Sequence, residues 1–220
     1  MSGFRLPVFY PILDTGILAA SGIGEVEAAE AILDAGARIL QLRRKEFFSR
    51  QHFVEAGRVA ALCHDAGALF VINDRADFAK LLGAALHLGQ DDLAPTDARK
   101  LLPSDAIVGF STHNREQLRT GNDQPVDYLA IGPIFATGSK KNPDPVVGCA
   151  ELAGLRTLTE KPLVAIGGIT RATAHSVLEA GADSLAVIGD LYPQPLAKLD
   201  LRKRAEEWLA ICSQKSKKPG

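Results

Sequence analysis

Apolar and polar positions along this chain change their rhythm at regular intervals. Amphipathic segments, with apolar residues three and four apart, give way after a glycine to short runs that are apolar at nearly every position. The clearest cases are LDAGARILQL at 33–42, HDAGALFVI at 64–72, LLGAALHLG at 81–89 and LEAGADSLAVIG at 178–189. Glycine suits the left-handed end of a helix, and a continuous apolar run suits a strand buried on both faces. The recurring phrase therefore marks a helix-to-strand junction, and four of them predict a repeated α/β architecture.

Extended along the chain, the same reading gives eight strands: Val8 to Leu13, Ile39 to Arg43, Leu69 to Asn73, Ala85 to Leu88, Ile107 to Phe110, Tyr128 to Ile131, Leu163 to Ile166 and Ser184 to Ile188. Helix-period segments lie between them, among them Glu25 to Asp34, Gln51 to Asp65, Arg115 to Gly121, Ala150 to Thr159 and Arg171 to Ala180. Eight such units in 220 residues match a single (β/α)8 TIM barrel. A doubly wound open sheet is the alternative. The barrel is preferred because polar and glycine residues follow nearly every strand, and closure brings all those strand ends to one mouth. Arg202 to Cys212 is expected to form the last helix, with Trp208 packed on the barrel. Residues 1–213 are expected to be one domain, and 214–220 a basic disordered tail.

Composition narrows the class. At 46% hydrophobic the chain can bury a large core. A net charge of −1 gives no basic field for nucleic acid or an anionic membrane. No apolar run approaches the roughly 20 residues that span a bilayer, and the opening MSGFRLPVFYPILD does not read as a leader. Cys63, Cys149 and Cys212 are widely spaced, which argues against a zinc site or disulfide framework and for the cytosol.

The chemistry falls at the predicted strand ends. Asn73-Asp74 closes the third strand and Asp92 follows the fourth, so two carboxylates from parallel neighbours meet on one edge as candidate ligands of a hard cation. Against that reading, Asp74 could cap the next helix and Asp92 could belong to a solvated turn. On the second strand, alternation puts Gln41, Arg43 and Lys45 on one side, where amide, guanidinium and ammonium can converge on an anion, while Arg44 reads as facing water. The fifth strand ends in Ser111-Thr112-His113. There the hydroxyls could be helix caps, and no serine-histidine-acid set is supported. The long segment Gly132 to Pro145, with Thr137, Gly138, Ser139 and Lys140, could wrap phosphate and act as a lid, or be a surface loop; it lacks the nucleotide-binding GxxxxGK[ST] pattern. Gly167-Gly168 and Ile188-Gly189 follow the last two strands, where barrels often hold phosphate on main-chain N–H groups; tight turns alone would also explain the glycines. One site for a metal-bound polyanion beside one for a monophosphate suggests displacement of a diphosphate, with Mg²⁺ as the metal.

Seven ordered motifs, QLRRK, INDRADFA, HLGQDDL, GFSTHN, GPIFATGSK, AIGGI and GADSLAVI, resemble those of the thiamine-phosphate synthase family, from about Val8 to Ile188. The resemblance implies an Mg²⁺-dependent barrel transferase that joins 4-amino-5-hydroxymethyl-2-methylpyrimidine diphosphate to a thiazole phosphate and releases pyrophosphate by dissociative displacement. It places Gln41, Arg43, Lys45, Asn73, Ser111 and Lys140 around the pyrimidine diphosphate, with Lys140, Ser111 and Arg43 acting in catalysis. It makes Asp74 and Asp92 the magnesium ligands. It puts Thr137, Gly138, Ser139, Gly168, Ile188 and Gly189 around the thiazole phosphate. The chain departs from the family pattern at Arg44, where an acid is common, at Gly138-Ser139, and at Gly189, usually a serine. Its partners are then small molecules, without nucleic acid or membrane, and a homo-oligomer is allowed. A related thiazole tautomerase, with His113 at the matching position, and a non-catalytic barrel that binds thiazole phosphate are the alternative readings.

Overall fold

The computed structural model describes residues 5–138, 144–192 and 197–213. Its centre is a closed parallel barrel of eight strands in sequence order. They are β1 (Phe9–Asp14), β2 (Ile39–Arg43), β3 (Leu69–Asn73), β4 (Ala85–Leu88), β5 (Val108–Thr112), β6 (Tyr128–Ile131), β7 (Leu163–Ile166) and β8 (Ser184–Val187). Around them run α1 (Thr15–Ser21), α2 (Glu25–Asp34), α3 (Arg50–Asp65), α4 (Ala76–Leu82), α5 (Pro95–Leu101), α6 (Arg115–Asn122), α7 (Gly148–Arg156), α8 (Ala174–Glu179) and α9 (Lys198–Ser213). The four glycines of the recurring junction phrase, Gly36, Gly67, Gly83 and Gly181, all have positive φ. Each therefore supplies the left-handed step that turns a helix into the next strand.

Closure divides the apolar side chains into two cores. A large outer layer lies between strands and helices, and a smaller set, including Tyr10, Ile12, Ile39, Val71, Tyr128 and Val164, fills the barrel interior. Trp208 on α9 is fully buried, stacks on Phe9 with ring centroids 5.9 Å apart, and donates its indole N–H to Asp190 at 3.0 Å. It packs on the barrel as expected. The tail from 214 to 220 lies outside the described residues. No helix among the described residues is long and apolar enough to cross a membrane.

The structure moves several predicted edges. β1 runs to Asp14, and β5 continues through Ser111 and Thr112, with Thr112 paired to Ile131. A polar side chain ends an apolar pattern without ending backbone pairing. Seven-residue α1 is an additional helix, capped by Asp14, whose carboxylate accepts from the Ile17 N–H at 3.1 Å. At β2, Arg44 does not face water. Its side chain is 10% exposed and paired with Glu25 on α2, because the outward side of a barrel strand meets the helical layer.

Candidate active site

β3 and β4 pair in parallel, with Asn73 opposite His87, so their C-terminal ends share one stretch of the rim. Asp74 follows Asn73 with φ 66, and the Arg75 N–H reaches back to the Asn73 carbonyl at 2.8 Å. Such a turn on a non-glycine residue costs roughly 1–3 kcal/mol and is kept where the surroundings demand it. Here it brings the Asp74 carboxyl within hydrogen-bonding reach of Asp92. Asp74 does not cap α4, which starts without a side-chain cap. Asp92 is held by the Gly89 N–H, which donates to its carboxylate at 2.6 Å.

Burial, reinforced by the neighbouring Asp92, pushes the Asp74 carboxyl up to about 6, and the paired Lys45 ammonium pulls the other way. Two facing carboxylates with one partly exposed lysine form an electrostatically unsatisfied group. No cluster of three or more His, Cys, Asp or Glu ligands occurs among the described residues. The donors present, two carboxylates, suit Mg²⁺, which takes its remaining oxygens from water and phosphate, and suit zinc poorly. Beside them Asn73, 7% exposed, has a buried side-chain N–H₂ group without a partner among the described residues. A buried donor left unpaired is costly, so it marks where an acceptor such as a phosphate oxygen would sit.

Gln41 and Arg43 on β2 and Lys45 just beyond it each have an anchor. Gln41 donates to the Tyr10 hydroxyl at 2.8 Å, Arg43 pairs with the buried Asp14, and Lys45 pairs with Asp74. Ser111 is not a helix cap: Asn114 caps α6, and the Ser111 hydroxyl lies 2.9 Å from His87 Nε2. Burial pushes His87 down to about 4, so its imidazole is neutral at physiological pH. His113 Nδ1 lies 2.7 Å from the Gly132 carbonyl, which assigns its proton to Nδ1.

The other side of the mouth is built from close backbone contacts. Ile134 and Phe135 N–H groups donate to the Ile166 and Gly167 carbonyls, while Val147 and Gly148 donate back to Pro133 and Ile134. Both roots of the segment after β6 are thus fixed at one point. A Cβ on Gly168 would lie 2.5 Å from the Ala136 carbonyl oxygen, so packing beneath this loop requires glycine there. The main-chain N–H groups of Gly168 and Gly189 have no acceptor among the described residues. Ile188 packs against the interior core beside them. Thr137 is half-buried and Gly138 exposed. Ser139 and Lys140 lie outside the described residues.

Sequence patterns did not point to Asp14, Tyr10, His87 and Tyr128. A signal existed in each case, since all four are polar residues within otherwise apolar strands.

Acidic groups on one arc of the mouth, and main-chain donors without acceptors among the described residues on another, fit the class of barrel enzymes whose active sites lie at the C-terminal ends of their strands. Comparison with known proteins narrows this class. The chain belongs to the thiamine monophosphate synthase family, whose sequence model matches residues 9–191. It is 46% identical over 213 residues to the thiamine-phosphate synthase of Koribacter versatilis, covering 96% of this chain and 98% of that one. To the thiamine-phosphate synthase of Laribacter hongkongensis it is 41% identical over 166 residues, covering 75% of this chain and 78% of the relative. The solved thiamine phosphate pyrophosphorylase from Pyrococcus furiosus superposes with a TM-score of 0.83 at 30% identity, over 94% of this chain and 96% of that one.

Proposed function

We propose that this chain is a thiamine-phosphate synthase that couples 4-amino-5-hydroxymethyl-2-methylpyrimidine diphosphate to a thiazole phosphate, releasing pyrophosphate with the help of Mg²⁺. The observation that carries the reading is the Asp74 and Asp92 pair, facing each other beside an Asn73 side-chain N–H₂ that has no partner among the described residues. Asp74 and Asp92 would hold Mg²⁺, whose charge would be set against the diphosphate. Arg43, oriented by Asp14, with Lys45, Ser111 and Lys140, supplies further positive or donor groups to the same oxygens. The bond from the pyrimidine methylene to the diphosphate breaks with both electrons leaving on oxygen, and the thiazole nitrogen then donates its pair to that carbon. No protein nucleophile is needed, so the chain's work is positioning and stabilisation of charge. Thr137, Gly138, Ser139, Gly168, Ile188 and Gly189 hold the thiazole phosphate, and the N–H at Gly189 replaces a side-chain hydroxyl. Net charge and composition support a cytosolic enzyme of small molecules, with a homo-oligomer compatible.

The test is thiamine phosphate formation by the purified chain from both phosphorylated halves. Product is expected with Mg²⁺ and not with chelator. Rearrangement of the thiazole alone would favour a tautomerase using His113, and binding without turnover a non-catalytic barrel.

The raised Asp74 carboxyl adds a dependence on pH. The folded value of about 6 lies above the ordinary 3.8, so metal-free Asp74 contributes stability below about pH 4 that is lost as pH rises through about 6. Cation binding needs the ionised form and runs the opposite way. The Mg²⁺ concentration for half-maximal rate should be flat above about pH 6 and rise about tenfold per pH unit below it. Lys45 holds this midpoint down, so Lys45→Ala should move it upward, whereas titration of the substrate's own phosphate would leave it in place. A midpoint unmoved in Lys45→Ala would count against Asp74.

A further inference from the structure

β8 stops pairing with β1 at Val187, yet the β1 groups beyond that point are still bonded. The two strands lie in register with Phe9 opposite Leu185 and Pro11 opposite Val187. In a parallel pair, every second residue donates its N–H to the carbonyl before its opposite number and accepts from the N–H after it. The Leu185 N–H follows this rule, donating to the Val8 carbonyl at 2.7 Å. Two residues beyond Val187, Gly189 would face Leu13, donate to Ile12 and accept from Asp14. Instead the chain bends at Ile188, with φ −117 and ψ −78, into a single 3-10 turn over Gly189–Leu191.

One side chain makes both of those bonds. The Tyr192 hydroxyl donates to the Ile12 carbonyl at 2.6 Å and accepts from the Asp14 N–H at 3.0 Å. A phenol can give one proton and accept another, so a single oxygen replaces both the N–H and the C=O of a ladder residue. Tyr192 is 5% exposed, and burial pushes its phenol above the usual range, so the donor stays protonated at physiological pH. The turn itself closes from the Leu191 N–H to the Ile188 carbonyl at 3.0 Å and from the Tyr192 N–H to the Gly189 carbonyl at 3.3 Å. Gly189 is exposed, its carbonyl is paired within the turn, and its N–H lies outside the ladder.

We propose that Tyr192 is a positioning residue: by taking the place of Gly189 in the β1–β8 ladder, its hydroxyl releases the Gly189 N–H to hold the phosphate monoester of the second substrate. The use of that N–H on a thiazole phosphate rests on the synthase reading; its release from the ladder does not. The effect is confined to one substrate. Asp14, on the other side of the hydroxyl, is held independently, because its carboxylate pairs with Arg43 and caps α1, and its backbone lies in register with Arg43 on β2.

Two measurements separate the claims. Tyr192→Phe removes the hydroxyl and keeps the ring. The Ile12 carbonyl and Asp14 N–H, both on buried residues, then lose their partner, a larger penalty than the bonds of the 3-10 turn return, so Gly189 is drawn back into the ladder. Hydrogen exchange of the Gly189 amide is followed by NMR in the ligand-free full-length protein. The signal is assigned by its loss in Gly189→Ala, whose added Cβ meets no described atom within 4 Å. Exchange is expected to be fast in the unaltered chain and at least about tenfold slower in Tyr192→Phe. Equal exchange in the two would overturn the release. In steady-state assays of Tyr192→Phe, KM for the thiazole phosphate should rise about tenfold, the scale of one hydrogen bond to a charged group, with kcat and KM for the pyrimidine diphosphate within about twofold. A lower melting temperature with that KM unchanged would make Tyr192 a purely structural residue and overturn the positioning role. Absence of any synthase turnover would refute the functional reading but leave the exchange result standing.

Discussion

Asp92→Ala is expected to lower Mg²⁺-dependent turnover by about 10²- to 10³-fold, because losing half of a carboxylate pair forfeits several kcal/mol of charge stabilisation. The fold should survive. Asp92 is half-buried and accepts from the Gly89 N–H, a bond whose loss costs about 0.5–1.5 kcal/mol. Part of that is returned, because Asp92 is also one of the influences that push Asp74 upward. Steady-state rates alongside a thermal melt check both halves of the expectation. Wild-type rates in this variant would mean that the cation is not held between these two strands.

Gly109→Ala is expected to be severe for a steric reason. An added Cβ would lie 2.0, 2.3 and 2.4 Å from Cζ, Cε2 and Oη of Tyr128. That ring is fully buried, stacked on His87 and tied to Tyr10, so it has nowhere to go. Overpacking a core by one methyl usually costs about 1–3 kcal/mol, and three contacts this short put Gly109→Ala at or above the upper end. For a chain of this size that corresponds to a Tm lower by about 6–12 °C. Activity should fall with it, since a displaced Tyr128 releases His87 and Ser111. A melt and a rate both unchanged would show that the interior has slack where this account has none.

The barrel was readable because its determinants are local. A glycine that must adopt positive φ, followed by an apolar run, marks the end of a helix and the start of a strand, and the predicted limits of β2, β3, β4, β6 and β7 coincide with those observed. Where polar residues finish a strand, as at Asp14 and at Ser111-Thr112, the apolar pattern stops early while the ladder continues. Short α1 lacks acidic residues in its first turn and carries Gly16, so little beyond its caps announced it. The facing of Asp74 and Asp92 was also legible, because consecutive parallel strands deliver their ends to the same edge. The meeting of the Tyr10 and Tyr128 hydroxyls was not, since it depends on β1 reaching β6 across the lumen, a distance that no sequence period encodes. Arg44 misled for a related reason. Alternation turned it away from the mouth, but in a barrel that direction leads to α2 and Glu25.

The central claim is that Asp74 and Asp92 share one divalent ion that meets the diphosphate. Electron paramagnetic resonance of Mn²⁺, standing in for Mg²⁺, measures this directly when the protein is titrated in the presence of pyrophosphate. One protein-held ion per chain is predicted for the unaltered protein, and none when Asp74→Asn and Asp92→Asn are combined. An ion bound equally well by the doubly altered chain would contradict the account.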